Sequence, residues 1–139
     1  MQPRELVAYI DRLLDIDRFS DYCPNGLQVE GRAEIRVLVG GVTACQALLD
    51  AAVEQGADAV LVHHGYFWRG EPAPLVGMKG RRIGTLVGAG ISLLAYHLPL
   101  DAHPELGNNR QLGLRLGFDA GAPVQDLLWG LDLPAPMMA

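Results

Sequence analysis

The chain has 139 residues, of which 50% are hydrophobic and 19% are charged, and its formal net charge is −5. This length predicts one compact domain, and the apolar fraction excludes a disordered chain. The negative charge, with no basic run longer than Arg81-Arg82, argues against a nucleic-acid backbone as a partner.

Apolar periodicity predicts helices and strands that alternate along the chain. Residues 3–15 have helical spacing with Pro3 at the first position, and residues 20–31 read as a polar loop. Pro99 and Pro104 are expected to prevent a helix directly after the last strand, and residues 119–139 have no clear period. Between these segments the predicted elements are strand 35–42, helix 44–55, strand 59–62, loop 66–77, helix 78–88, strand 91–96 and helix 108–116.

The targeting signals expected of a secreted or membrane protein are missing from this sequence. The longest apolar stretch, residues 86–100, is broken by glycines and a proline and is too short to span a bilayer. The N-terminal residues mix acidic and basic side chains, unlike a secretory signal. Cys23 and Cys45 form no CxxC pair and are expected to be free thiols. We therefore expect a soluble cytoplasmic protein without a membrane partner.

Strands that are apolar on both faces and alternate with helices predict an α/β fold. Its sheet is expected to be mostly parallel with flanking helices. Ligands of such sheets bind beyond the carboxyl ends of the strands. The side chains that follow the predicted strands are therefore the first candidates for a functional site.

Three of the four histidines follow predicted strand ends. His63 and His64 come after the second strand, and His97 comes after the third, with Asp101 four residues later. Histidine and carboxylate together suit zinc, iron, manganese or nickel. Adjacent residues of a regular strand point to opposite faces, so the backbone has to turn to bring both histidines together. Three interpretations remain open. The site could hold two metal ions, or it could hold one ion while His97 contacts and orients a ligand without binding the ion. The histidines could also be hydrogen-bonded loop residues that bind no metal.

Each of the other candidate residues also has a structural interpretation that involves no ligand. The aromatic residues 66–68 could line a pocket, but we favour the interpretation that they cover the edge of the sheet. Lys79, Arg81 and Arg82 could meet an anionic substrate, although a solvated helix face is the simpler interpretation. Cys23 beside Pro24 is expected to be an inert loop thiol.

Four blocks of the sequence, in order, carry a family resemblance. They are DYCPNGLQVEG at 21–31, VTACQALLD at 42–50, a stretch at 56–70 that contains VHHGYFWRG, and a stretch at 96–109 that contains YHLPLDAHP and GNN. Together they resemble the NIF-three-like dinuclear metal-centre family, also named the GTP cyclohydrolase I type 2 family.

The resemblance implies a centre of two divalent ions held by His63, His64 and Asp101. His97 matches a recurrent family position, where it could act in catalysis or orient a ligand. The resemblance also implies a homohexameric ring whose metal sites face an internal cavity.

The activity implied by the resemblance is metal-dependent hydrolysis of a nucleotide or another phosphate-containing small molecule, such as the ring opening of GTP. His97 or His103 could then move protons, and Arg81 or Arg82 could meet phosphates. The alternative is a non-catalytic metal-binding scaffold or a regulatory protein.

Family members are nearly twice as long, and their second half contributes a His-x-x-x-Glu motif that this sequence does not contain. The resemblance therefore implies that the chain corresponds to the N-terminal half. Residues 1–118 are predicted to form an α/β metal-binding domain, and residues 119–139 a tail or the start of the second half. With three protein ligands, we expect one weakly held ion or none.

Overall fold

A computed structural model describes residues 1–118, 121–125 and 127–130. The chain divides into two compact units, Met1–His97 and Leu98–Ala139. The predicted division between residues 118 and 119 stays a prediction. The elements are α1 (Pro3–Leu14), β1 (Gly26–Val29), β2 (Leu38–Thr43), α2 (Gln46–Glu54), β3 (Ala59–His64), α3 (Gly77–Ala89), β4 (Ser92–Ala95), α4 (Leu98–Ala102), α5 (Asn108–Arg115), β5 (Ala122–Gln125) and β6 (Leu128–Gly130).

The first unit is built on a four-stranded sheet with the strand order β1-β4-β3-β2. Strands β2, β3 and β4 run parallel, and β1 pairs with β4 in the antiparallel direction. The predicted α/β fold with flanking helices is confirmed, but the sheet is mixed because of β1. The carboxyl ends of the parallel strands β3 and β4 lie side by side, which is where the candidate histidines occur in the sequence.

One buried cluster joins β3 and β4 to helices α2 and α3. Every second residue of each strand contributes to it, as expected for a pleated strand with one face on a core. Burial of each large aliphatic side chain of this kind contributes about 1.5–3 kcal/mol. The strands that carry the candidate site are therefore firmly held. The members from the strands are Val60, Val62, Leu93 and Ala95, and those from the helices are Leu49, Ala52, Ile83 and Leu86.

Helix α1 is tied to the chain just after β4. The side chain of Tyr96 is buried, and its hydroxyl donates a hydrogen bond to Oδ1 of Asp11 over 2.8 Å. Burial, followed by the hydrogen bond to Asp11, raises the pKa of Tyr96 well above its ordinary value. The hydroxyl therefore remains a donor at all ordinary pH values, and the residue beside His97 is fixed.

The interpretation of residues 20–31 as a loop is wrong in part, because the segment contains β1. A four-residue strand is too short to give a periodic signal, and Pro24 and Gly31 at its flanks indicate turns. Strand β2 also begins later than predicted, at Leu38. Ile35 is nevertheless buried, and its N–H donates to the carbonyl of Met1 over 2.8 Å.

A helix does follow β4, contrary to the expectation from the prolines. Pro99 lies in the first turn of α4, where its missing N–H would have no intrahelical partner. The part of residues 119–139 that the structure describes contains a hairpin, in which Pro123 pairs with Trp129. Within the described ranges, no helix has the length and apolar character needed to cross a membrane.

Candidate metal centre

His63 and His64 are the last two residues of β3, which is two residues longer than predicted. His64 lies opposite Thr43 in the parallel register with β2. Adjacent side chains of a regular strand point to opposite faces. The two ring centroids are nevertheless only 4.4 Å apart, at an interplanar angle of 48°. The end of β3 therefore brings both rings to one place.

The residue after this pair must be small. A Cβ at Gly65 would meet Oε1 of Gln28 and would lie 2.6 Å from Cβ of Ala95. The same Gln28 oxygen accepts the N–H of Tyr66 over 2.7 Å. Glycine thus lets the chain leave β3 close against β1 and β4, and this contact explains the glycine of the His-His-Gly sequence.

His97 joins the pair from the end of β4. Its ring centroid lies 4.9 Å from that of His63 and 5.6 Å from that of His64. One ligand nitrogen from each of the three histidines lies within 4.8 Å of the other two. The structure therefore brings together three of the residues that the sequence indicates at the carboxyl edge of the sheet.

Each of the three rings is held through Nδ1. Nδ1 of His63 lies 3.0 Å from the carbonyl of Tyr96, and Nδ1 of His64 lies 3.2 Å from Oγ1 of Thr43. A carbonyl oxygen only accepts, so Nδ1 of His63 donates and the lone pair of the neutral ring is on Nε2. This tautomer is the one in which a histidine is normally held for metal coordination.

Asp21 holds the ring of His97 in the same way. Its Oδ1 accepts from Nδ1 of His97 over 2.8 Å, and its side chain is only 3% exposed. The carboxylate also accepts from the N–H of Tyr22 and from Nδ2 of Asn25. Oδ1 of Asn25 in turn accepts the backbone N–H of His97 over 2.7 Å. Asp21 and Asn25 together grip both the ring and the backbone of His97.

Sequence reasoning did not single out Asp21 and Asn25. They belong to a polar segment with turn residues, so each has an ordinary local interpretation. Asp21 is 76 residues away from His97 along the chain. The one usable signal is that both residues fall in the first block of the family resemblance.

The aromatic run after the histidines divides between two roles. Tyr66 is buried, and its hydroxyl donates to the carbonyl of Ala44 over 2.6 Å. Burial raises the pKa of Tyr66 to about 12. Trp68 instead contacts the candidate site, with its ring edge-on to that of His97 at 4.9 Å and 6.2 Å from that of His64. Tyr66 therefore covers the core, whereas Trp68 bounds the histidine cluster.

Asp101 and His103 belong to the second unit, which is described by itself. Oδ1 of Asp101 accepts from Nδ2 of Asn108 over 2.6 Å. Nδ1 of His103 accepts the backbone N–H groups of Glu105 and Leu106 over 3.1 and 3.0 Å. The structure thus gives His103 a turn-stabilising contact, and metal ligation by Asp101 stays a prediction.

The basic residues of α3 differ in their contacts. Nζ of Lys79 donates to Oε2 of Glu71 over 2.7 Å. Nε of Arg82 is buried and has no hydrogen-bond partner within the part of the chain that the structure describes. Arg82 interacts electrostatically with Tyr66. A role of Arg81 or Arg82 in phosphate binding stays a prediction.

Cys23 lies beside the Asp21–His97 pair. Its thiol is buried, and burial together with the charge of Asp21 raises the pKa of Cys23 to about 11. The thiol is therefore protonated at neutral pH, in agreement with an unreactive loop cysteine. One ligand atom each of Asp21, Cys23 and His97 also lie within 4.8 Å of one another.

Comparison with known proteins gives one consistent family. A family model described as Duf34/NIF3 (NGG1p interacting factor 3) matches residues 1–137. A GTP cyclohydrolase 1 type 2 homolog of Pseudomonas aeruginosa is 65% identical over 120 residues, which cover 86% of this chain and 48% of the relative. The Escherichia coli homolog of the same name is 53% identical over 138 residues, covering 98% of this chain and 56% of the relative.

Solved structures agree with this match. The structure of protein ybgI, described as of unknown function, has a TM-score of 0.83 and 57% identity, and the match covers 84% of this chain and 47% of that chain. TTHA1606 from Thermus thermophilus has a TM-score of 0.86 and 45% identity, covering 94% of this chain and 54% of that one. The chain spans about half the length of the curated relatives it matches.

Proposed function

This chain belongs to the Duf34/NIF3 family, and from that premise we propose that it forms part of a metal-dependent hydrolase that acts on a nucleotide or another phosphate-containing small molecule. The observation that carries the proposal is the convergence of His63, His64 and His97, whose ligand atoms lie within 4.8 Å of one another. The curated relatives are named GTP cyclohydrolase 1 type 2 homologs, which supports a nucleotide as the substrate class.

The residues that would hold two divalent ions are His63, His64 and Asp101. Their donor set fits such ions, because imidazole nitrogen and carboxylate oxygen suit zinc, iron, manganese or nickel. The hydrogen bond from Nδ1 of His63 to the carbonyl of Tyr96 supports this assignment, since it sets the ring in the tautomer that coordinates through Nε2. His97 completes the cluster from a third segment of the chain.

When bound, a divalent ion supplies Lewis acidity and lowers the pKa of a water ligand towards about 7, as hydrolysis requires. The chain's own residues would orient and shield the reaction. Thr43 supports the ring of His64, and Trp68 packs against the ring of His97. Arg82, whose Nε has no hydrogen-bond partner within the described ranges, is the cation that we propose for a substrate phosphate.

The proposed compartment, oligomeric state and ligand class follow from the same resemblance. We propose a cytoplasmic homo-oligomer, a hexameric ring in the family pattern, with a small molecule rather than nucleic acid as its ligand. The unbridged thiols of Cys23 and Cys45 support a reducing compartment. The net charge of −5 supports the exclusion of nucleic acid.

Metal content and nucleotide turnover test the proposal together. Protein purified without added metal is analysed for bound elements and then assayed with GTP for the release of formate and phosphate. His64→Ala should reduce metal affinity by at least about tenfold, because one imidazole ligand is lost. His103→Ala, which also removes a histidine, should retain the wild-type metal content. Unchanged metal in His64→Ala would refute the ligand assignment, and metal binding without release of formate or phosphate would refute GTP as the substrate.

A further inference from the structure

A pocket lies beside the histidine cluster, between the segment before β1 and the segment after β3. Its volume is about 340 Å³, within the range of pockets that bind small molecules. The carboxylate of Asp21 in its wall accepts from Nδ1 of His97 over 2.8 Å. A molecule in this pocket would therefore border the candidate metal centre. The residues that line it are Asp21, Tyr22, Cys23, Pro24, Phe67 and Arg69.

The pocket offers aromatic and cationic groups without net charge. Tyr22 and Phe67 contribute rings, and the guanidinium carbon of Arg69 lies 5.9 Å from the centroid of the Tyr22 ring. Among the described lining residues, Asp21 and Arg69 are the charged ones, and their formal charges cancel. A phosphate would meet the carboxylate of Asp21, whereas a flat uncharged ring can stack on aromatic faces and on a guanidinium plane. The lining therefore favours a heterocyclic base over an anion.

Arg69 ties the two sides of the pocket together. Its backbone N–H donates to the carbonyl of Tyr22 over 2.7 Å, and its Nη2 donates to the carbonyl of Asp21 over 2.9 Å. Nε and Nη1 of the same guanidinium have no hydrogen-bond partner within the described ranges of the chain. The arginine is thus held in place while part of its donor fork is available to a ligand.

The backbone of Phe67 is strained at the opposite wall. Its φ of 65° is in the left-handed region, which a bulky side chain rarely adopts. The hydroxyl of the neighbouring Tyr66 is anchored on the carbonyl of Ala44, and Nζ of Lys79 lies 5.0 Å from the centroid of the Phe67 ring. Strained residues that their surroundings hold in this way are concentrated at ligand sites. The ring of Phe67 is therefore part of a preformed wall.

We propose that this pocket binds the guanine ring of a nucleotide, with Tyr22 as the stacking surface and Arg69 as the donor to the O6 and N7 atoms of the base. The proposal rests on the proposed function and deepens it, because it names the base and the residues that recognise it. Guanine has two acceptors, O6 and N7, on one edge, and an arginine fork meets them with two hydrogen bonds. Adenine has an amino donor in place of O6, so it would face Arg69 with a donor.

The position of Tyr22 and Arg69 matters more than their residue types. Exposed aromatic rings are common, and Tyr9 on α1 is 56% exposed against 60% for Tyr22. An arginine over an aromatic ring also occurs at Arg18 and Phe19, at 5.6 Å. Tyr22 and Arg69, in contrast, both line a pocket next to the histidine cluster. Tyr9 and Arg18 are therefore matched controls.

Titration of the ¹⁵N-labelled, metal-free protein with GTP tests the proposal without turnover. The backbone amide resonances of Tyr22, Phe67 and Arg69 should shift, and that of Gly40 in β2 should not. GTP binding that shifts none of the three pocket residues would overturn the proposal and leave the proposed function intact. If GTP binds neither with nor without Zn²⁺, the proposal and the proposed function both fail.

Dissociation constants for GTP and ATP separate stacking from recognition of the base edge, because the two nucleotides carry the same phosphates. The wild type should prefer GTP by about tenfold or more, and Arg69→Lys, which keeps the charge without the fork, should lose this preference. Tyr22→Leu should weaken GTP binding by about 5–150-fold, the range found when a stacking ring is removed, and Tyr22→Phe should restore it.

The control variants Tyr9→Leu and Arg18→Lys should bind both nucleotides as the wild type does. Equal affinities of the wild type for GTP and ATP, or an unchanged ratio in Arg69→Lys, would overturn the role of Arg69. Unchanged GTP affinity in Tyr22→Leu, or an equal loss in Tyr9→Leu, would overturn stacking on Tyr22.

Discussion

Asp58 connects the chain before β2 to the rest of the sheet. Its carboxylate accepts the N–H groups of Arg36 and Val37 over 2.9 and 3.0 Å and pairs with Arg32 at 3.1 Å. The residue itself is 9% exposed. The two backbone hydrogen bonds and then the contact with Arg32 hold the pKa of Asp58 below its ordinary value. A single side chain thus satisfies the backbone of a segment that enters an edge strand.

Replacement of Asp58 should give a stability loss that depends on pH. The folded-state pKa is lowered, so the carboxylate stabilises the fold above its unfolded pKa of about 3.9, and this contribution is lost as the pH falls through the folded value. Asp58→Asn should therefore lower the free energy of unfolding at neutral pH, and its difference from the wild type should shrink in acid. Urea unfolding at neutral and acid pH measures both.

The control for this experiment is Asp50→Asn, which changes an exposed carboxylate on α2. It should have a small effect at either pH, since exposed polar contacts contribute little. A loss of stability in Asp58→Asn that stays constant from neutral to acid pH would contradict the interpretation.

Among single residues, the sequence identifies the candidate histidines, but it does not identify the residue that holds His97 in place, Asp21. His63, His64 and His97 lie at strand ends, and ligands of parallel sheets generally bind beyond the carboxyl ends of the strands. No such rule connects Asp21 to His97, because their contact depends on the antiparallel placement of β1 beside β4. Side chains that act through tertiary contact are visible only when the fold is known.

Among the elements, the end of β3 has a steric sequence requirement, because it is followed by a residue that has no room for a Cβ. Gly65 lies where a Cβ would come within 2.6 Å of Ala95 on the neighbouring chain segment and would also meet Gln28. The backbone of β4 cannot retreat, since Ala95 belongs to the buried core. The glycine therefore sets the distance between the histidine pair and the rest of the sheet.

Gly65→Ala should destabilise the protein by about 1–3 kcal/mol, the usual cost of forcing an extra carbon into a packed region. It should also weaken zinc binding, because the adjacent histidines move with the strand end. Gly40→Ala is the matched control in β2, where no atom lies within 4 Å of the added Cβ. Chemical denaturation of both variants makes the comparison. Equal losses at the two positions would refute the steric argument.

The elements that the sequence predicts well are the long or strongly apolar ones. Helices α1, α2 and α3 and the buried strands β3 and β4 all occur near their predicted positions. The missed elements are all short: β1 and α4 have four and five residues, and the hairpin strands β5 and β6 have four and three. Elements this short span at most two periods of a strand and fewer than two turns of a helix, so the hydrophobic period carries little information about them. Their formation depends on partners: β1 pairs with β4, and α4 packs against α5.

For the whole molecule, the α/β class was predictable because strands and helices alternate along the sequence. The antiparallel edge was not, since it comes from the missed strand β1. Three of the proposed site residues lie in the first unit, and Asp101 lies in the second. The sequence places all four near strand ends, but coordination requires distances, which the structure provides for the three histidines.

Zinc should stabilise the folded protein. A ligand that binds only the folded state adds RT ln(1 + [L]/Kd), or about 2.7 kcal/mol at a concentration 100 times Kd. The melting temperature should therefore rise with Zn²⁺ and show little change with Mg²⁺, which prefers oxygen ligands. Thermal melts of the wild type and His64→Ala measure the effect. An equal rise in His64→Ala would show that the ion binds elsewhere.

The hydrogen bond between Asp21 and His97 joins residues 76 positions apart. Closing so long a chain segment has an entropic cost, which the pairing of β1 with β4 has to offset before the two side chains meet. A peptide containing the two adjacent histidines would carry the imidazoles without their spacing. Metal affinity at this cluster is consequently a measure of cooperative folding: it reports whether strands from the beginning, middle and end of the first unit have assembled together.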